Sequence, residues 1–477
     1  TSNDLTFKAT GNIVNGVAKT FQSNGGPIIF WSNANGGNGY ISIFAASVVN
    51  TINGDVTRTS SGGGDIIMGG GAASTGGYPT GSTSSASATY AGVSIGQSAS
   101  AATITKLYSG GGNITINTQI SAANRAVTLA YQTTMWANGG QISITGQNTN
   151  AAVASPGIQL NDIAASTNAS EFYSSSNTAP AISFSATVAG TGVALQSGYF
   201  ASGANAVYLQ STGTGGISLS GTTGTLSNNT PEVGMSATNI LSAGPITVNT
   251  ASTTANRGGF FYSQLANTGT TGYVTNFGYC AIATCPTSQV TASSANITFN
   301  INREASYNGN VNNNINTAGV VSYLPTISTG FVNQAPTGGT KISSDSTGLI
   351  IGNDVTTNTW AYASLGAYSI TGPIKIYAGS ASIAHNMTST GLGTGGILVK
   401  TTGDIATSGG VSGTPRTIQS NGGAITLWSD ADANSAGAIE LTDFTKLNSA
   451  NGSTSQAATG GQITLGGGAD SGSGAPA

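Results

Sequence analysis

The chain has 477 residues, of which 6% are charged and 71 are glycine, with a net charge of −3. Ordinary soluble domains carry about 25% charged residues, so a set of conventional globular domains is a poor fit. The charge balance leaves no basic footprint for nucleic acid or anionic lipid, and no apolar run is long enough to cross a bilayer as a helix. Disorder usually requires high net charge; here the charge is low and the hydrophobic residues are patterned.

The pattern has period two. From the amino terminus, TFQSNGGPIIFWS (20–32) introduces Ile28, and further phrases start at Ile41 and Ile66. ITIN (114–117), ISIT (142–145), ISLS (217–220) and ITVN (246–249) follow, then Ile297, IKIY (374–377), Ile397, ITLW (425–428), Ile439 and Ile463. Such alternation marks half-buried strands. Helical periodicity is close to absent. Residues 150–200 and 251–345 carry weaker phrases and more aromatics, including GGFFYSQL (258–265) and TGYVTNFGYC (271–280).

The first phrase returns as TIQSNGGAITLWS (417–429), identical at nine of thirteen positions and displaced by 397 residues. The same offset relates GGGDIIMGGG (62–71) to TGGQITLGGG (459–468). Repetition at that distance implies stacking of like units. A parallel β-helix explains it, because each phrase must fit the same slot in the stack. The expected fold is all-β, a right-handed parallel β-helix (β-solenoid) of roughly twenty coils at about 4.8 Å per rung. It would be one continuous solenoid over 1–477: regular coils over 1–150, less regular and loop-decorated coils over 151–345, and regular coils repeating the first pattern over 346–477. Gly25, Gly26, Gly422 and Gly423 are expected at corners that need positive φ. Pro27, Pro245 and Pro373, each in Gly-Pro-Ile, are expected at strand starts, where a missing N–H is tolerated.

Residues suited to chemistry are few. His385 is the single histidine, so a triad or zinc site would have to be built on it alone; it reads as a loop or ladder residue. Cys280 and Cys285 are the only cysteines and suit a local disulfide in an oxidising compartment. The densest acidic group is Asp430, Asp432, Glu440 and Asp443, and the first copy does without all four. Asp162 with Glu171, and Asp345 with Asp354, could meet on adjacent strands, yet nothing singles out a glycosidase pair. Gly62-Gly63-Gly64-Asp65 has Gln462 as its counterpart, against a calcium repeat. No metal or cofactor is expected. Trp31 and Trp428 follow equivalent strands, and alternation from Ile28 turns Trp31 outward, where an indole could meet a glycan or a neighbouring molecule or cover its own loop. Phe277 and Tyr279 are further candidates for a glycan patch. Ice-type Thr arrays need rank and file on one face, which Thr401, Thr402 and Thr407 do not supply.

GGPIIFWSNANGGNGYISI (25–43), GGAITLWSDADANSAGAIEL (422–441) and GGQITLGGGAD (460–470) resemble the repeats of filamentous-haemagglutinin-type bacterial exoproteins, exported by two-partner secretion or autotransport. The similarity covers residues 1–71 and 395–477 and is thin between; the Asn-Pro-Asn secretion signature of that family is absent from this sequence, and no functional residue carries over. The opening Thr1-Ser2-Asn3 reads as a matured product or a piece of a longer chain. The resemblance implies an extracellular β-helix stalk at the bacterial surface, working in adhesion or matrix building. The expectation is a non-catalytic structural or adhesive element of an adhesin, sheath or filament, stacking end to end with neighbouring copies or meeting surface glycans. A polysaccharide-cleaving or glycan-binding β-helix is the alternative.

Overall fold

The computed structural model describes residues 3–72, 91–97, 104–130, 132–160, 170–197, 207–224, 231–235, 238–251, 259–262, 275–278, 294–306, 314–327, 330–333, 341–354, 359–451, 459–472 and 476. Their regular structure is all β-strand, and every strand-to-strand pairing described below is parallel. The fold is a parallel β-helix. The chain divides into two compact units, Thr1–Asn276 with Cys280–Thr287, and Phe277–Tyr279 with Ser288–Ala477.

In the first unit a coil has three faces, as in Ile28–Ser32, Ile41–Phe44 and Val48–Asn50. On the first face Leu5, Ile28, Ile66, Ile114, Ile142, Ile182, Ile217 and Ile246 stand in one column. Two residues on, a second column runs from Phe7 and Phe30 through Met68 and Ile116 to Val248. The third face contributes Phe21, Val49, Leu107, Met135, Phe172, Leu209 and Ile240. These columns meet inside the coil, where Ile28, Met68, Leu107 and Met135 are fully buried. Burying each such side chain contributes about 1.5–3 kcal/mol, which is why alternating aliphatics suffice to define the stack.

The second unit repeats the device. Ile297, Val321, Leu349, Ile374, Ile397, Ile425 and Ile463 form its first column. Among the described residues these columns have eight rungs in the first unit and seven in the second. Coil length is uneven: Leu5 to Ile28 is 23 residues, whereas Ile66 to Ile114 is 48. Among the described residues the steps between successive first-face rungs run from 23 to 48 residues. The variation sits in the connections. Ile182–Val188 and Ile217–Thr223, within the stretch expected to be less regular, pair over seven residues without a register shift.

The corner before the first face is the tightest place. Asn24 and Gly25 take φ of 54° and 108°, and Asn421 and Gly422 take 47° and 98°. Ser23 Oγ and Ser420 Oγ donate to the carbonyls of Gly26 and Gly423 and close the turn. The second glycine of the pair is needed for a different reason. A Cβ on Gly64, Gly112 or Gly140 would strike the backbone of Gly26, Gly64 or Gly112 in the coil before. Gly423 and Gly461 repeat this against Gly395 and Gly423. Backbone lies on backbone there.

The next slot is bridged by side chains. Asp65 Oδ1 accepts the Asn113 N–H at 2.7 Å, and Asn113 Oδ1 accepts that of Gln141 at 2.9 Å. Asn296 does the same for Val320 at 2.9 Å; on a different face, before Ile405 and Ile439, Asp404 does so for Ala438 at 2.9 Å. Pro27, Pro245 and Pro373 occupy the first-face slot, so the N–H they lack is one that elsewhere takes a side-chain oxygen. Their carbonyls still accept the N–H groups of Leu5, Ile217 and Leu349 at 2.9, 2.8 and 3.0 Å.

Gly112→Ala is expected to cost about 1–3 kcal/mol through overpacking, read as a lowered urea midpoint. Gly11→Ala, where an added Cβ meets nothing within 4 Å, should leave the midpoint in place. Equal midpoints for the two variants would exclude the backbone contact as the cause.

Candidate functional site

Trp31 stands on the outward side of its strand, between Lys8 and Gly69 in register. It is nevertheless only 3% exposed. With no side chain at Gly69, the indole reaches across that slot, and its N–H donates to the Gly71 carbonyl at 2.7 Å. Lys8 Nζ lies 4.0 Å from the ring centroid on the other side. Trp428 has the same surroundings: Lys400 and Gly466 in register, an N–H bond to Gly468 O at 2.7 Å, and Lys400 Nζ at 4.3 Å. Positive φ at Gly71 and Gly468, 84° and 91°, places the two carbonyls alike. The outward direction agrees with alternation, but the exposed ring expected for a glycan or partner contact is not what the structure has. Both indoles cover the next rung of their own stack.

Phe277 departs from the expected patch as well. It is fully buried, with its ring 5.2 Å from Phe299 in a T-shaped contact. An inward ring cannot stack on a sugar. Tyr279, and the expected Cys280–Cys285 disulfide, lie outside the described residues. Asp162 does too.

Of the four acids Asp430, Asp432, Glu440 and Asp443, the first two serve their own loop. Asp430 Oδ1 accepts the Ser435 N–H at 2.9 Å, and Asp432 Oδ2 accepts from Asn434 Nδ2 at 2.8 Å. Asp354 pairs with Lys400 Nζ at 2.8 Å, whereas Asp345 is exposed in a turn. His385 is half-buried at a bend. Among the described residues no group of three or more His, Cys, Asp or Glu could hold a metal ion.

The dense concentration of interacting polar and aromatic groups is elsewhere, on the outward side of the third face of the first unit. Tyr108, Trp136, Tyr173 and Gln210 form one file there, and Lys106, Thr134, Glu171 and Tyr208 the file beside it. Tyr108 and Trp136 ring centroids are 5.0 Å apart. Arg58, on the loop after Val48–Asn50, lies over this surface, 5.5 Å from the Trp136 ring and 5.0 Å from the Tyr173 ring. Its guanidinium pairs with Glu171 Oε1 and donates to Gln210 Oε1 at 3.1 Å. Glu171 Oε1 also accepts from the Trp136 indole N–H at 3.1 Å. Asn138 Nδ2 holds the loop by bonding the carbonyls of Thr57 and Ser60.

The carboxylate oxygen is thus committed to two donors, and the ring faces to each other and to Arg58. The cluster ties a loop to rungs far along the stack. Sequence reading missed it because Arg58 and Glu171 are 113 residues apart. The one available signal was that Glu171 is among the few acids in a charge-poor region.

No family model matches the chain, and no curated protein or solved structure is significantly similar to it.

Arg58→Ala should weaken the cluster by about 1–2 kcal/mol through loss of the cation–π and ion-pair contacts. Hydrogen exchange should then quicken at 57–60 and 133–138 and stay unchanged at 425–429; uniform exchange in both variants would refute the clasp. The Tyr108 hydroxyl is pushed up to about 12, first by burial and then by the Glu171 carboxylate. Unfolded, it titrates near about 10, so the native state alone keeps the proton between those values. Stability supplied by Tyr108 is therefore complete below pH about 10 and falls as pH rises toward about 12. Urea midpoints of Tyr108→Phe should decline less steeply across that window than those of the unsubstituted chain.

Proposed function

We propose that the chain is a non-catalytic structural or adhesive β-solenoid of the bacterial cell surface, part of an adhesin, sheath or filament. The observation that carries this reading is the return of one rung design in both units. Lys, Trp and Gly stand in register at Lys8–Trp31–Gly69 and again at Lys400–Trp428–Gly466, with matching indole hydrogen bonds. Reuse of a rung extends a stack without adding chemistry, which suits a stalk or spacer. The resemblance of residues 25–43 and 422–441 to filamentous-haemagglutinin-type repeats supports the same reading and an extracellular location. Neighbouring copies in a filament or matrix are the partners this role calls for.

Immunogold labelling of the source cells, with antibody raised against the folded chain, should decorate the surface or the surrounding matrix. Label confined to the cell interior would sink the proposal. A screen of plant, algal and bacterial glycans should give no turnover; turnover abolished by Asp430→Asn would replace the structural role with an enzymatic one.

A further inference from the structure

The first face of the first unit carries a second surface, unlike the clasped one. Its strands Ile114–Ile120, Ile142–Asn148, Ile182–Val188, Ile217–Thr223 and Ile246–Ala251 pair in continuous register with no bulge. Their outward side chains form three files. The middle one reads Asn117, Thr145, Ser185, Ser220 and Asn249. The flanking files run from Thr115 to Thr247 and from Gln119 to Ala251, and all but Ala251 are hydroxyl or amide residues. None of these positions is charged or aromatic. The middle file is half-exposed throughout. Asn249 Nδ2 donates to Ser220 Oγ at 3.4 Å, whereas Thr145 and Ser185 bond no other described side chain.

Strand geometry spaces the ranks by about 4.8 Å and the files by about 6.7 Å, over about 400 Å². A two-dimensional array of neutral donors and acceptors selects an occupant with the same properties. A polyelectrolyte is disfavoured because the array offers no charge. A second copy of the chain is disfavoured by area, since a stable interface buries about 800 Å² per partner. A sugar surface would call for aromatic rings to stack on its apolar faces. Crystalline water remains: it is uncharged, it both donates and accepts, and its lattice repeats lie close to these spacings. We propose that this face binds ice. Short Ser and Thr side chains on paired strands have little freedom left to lose on binding. The face therefore presents its hydroxyls already ordered, and the water they hold can merge with the lattice.

The test uses the full chain in an ice-affinity partition, with ice grown slowly from a dilute protein solution. The unsubstituted chain should enter the ice, and Thr145→Lys combined with Ser185→Lys should be left in the liquid. Thr426→Lys, on an outward position of the second unit, should partition like the unsubstituted chain. Circular dichroism must match across the set, and Ser185→Tyr, adding bulk without charge, should also lose uptake; it decides the matter if the double variant does not fold. Exclusion of the unsubstituted chain from ice overturns the proposal, as does equal uptake of all variants. Binding to crystalline cellulose or chitin that is lost in the double variant, without ice uptake, overturns it in favour of a polysaccharide surface. Surface labelling of cells is independent of these outcomes, so either proposal can fail alone.

Discussion

Direct contact between the backbones of successive coils governs the rest of this molecule. At the corner before the first face, Gly26, Gly64, Gly112 and Gly140 follow one another with no room for a Cβ, and in the second unit Gly423 and Gly461 lie in the same way on the backbones of Gly395 and Gly423. Once backbones meet there, register is fixed and each residue stands over a like-placed residue about 4.8 Å away. A charge in such a column would face another at that distance unless the next rung were neutral or opposite. The 6% charged content follows from this geometry. So does the form in which charge survives: Lys8 and Lys400 each lie over an indole, and Arg58 and Glu171 neutralise each other.

The same constraint explains how large side chains are housed. Inside, Phe30, Met68 and Ile116 succeed one another in one column, so bulk is traded between rungs while volume is kept. Outside, on the first face, a tryptophan is accommodated where the following rung is glycine. Trp31 over Gly69 and Trp428 over Gly466 are solutions to one packing problem, 397 residues apart. The identity of the rungs is thus a matter of shape between neighbours.

Period two and the repeated phrases made the parallel β-helix legible, because both are local signals. Ile114, Ile142, Ile217 and Ile246 begin first-face strands as alternation predicts. The glycine pairs and the Gly-Pro-Ile starts were legible for the same reason: corner chemistry is written in adjacent residues. What alternation cannot state is the residue standing one coil away, since coils differ in length from 23 to 48 residues. The burial of Trp31 depends on Gly69, 38 positions on, and the Arg58 cluster depends on partners 113 and 152 positions away. The inward turn of Phe277 is not legible, because an aromatic-rich stretch reads alike whether its rings point in or out.

The three faces of the first unit have accordingly become different surfaces from one scaffold. On the second face the outward residues Ser94, Thr128, Gln159 and Gln196 are all at or below 5% exposure and present nothing to solvent. On the third, aromatic rings and the Arg58–Glu171 pair consume one another's binding capacity. On the first, between Ile114 and Ala251, neutral hydroxyls and amides stay half-exposed in rank and file. A stack that disfavours unpaired charge repeats a weak contact in fixed register at no added cost. Its means of recognition is the array, in which many modest hydrogen bonds are aligned by the same backbone contacts that hold the coils together.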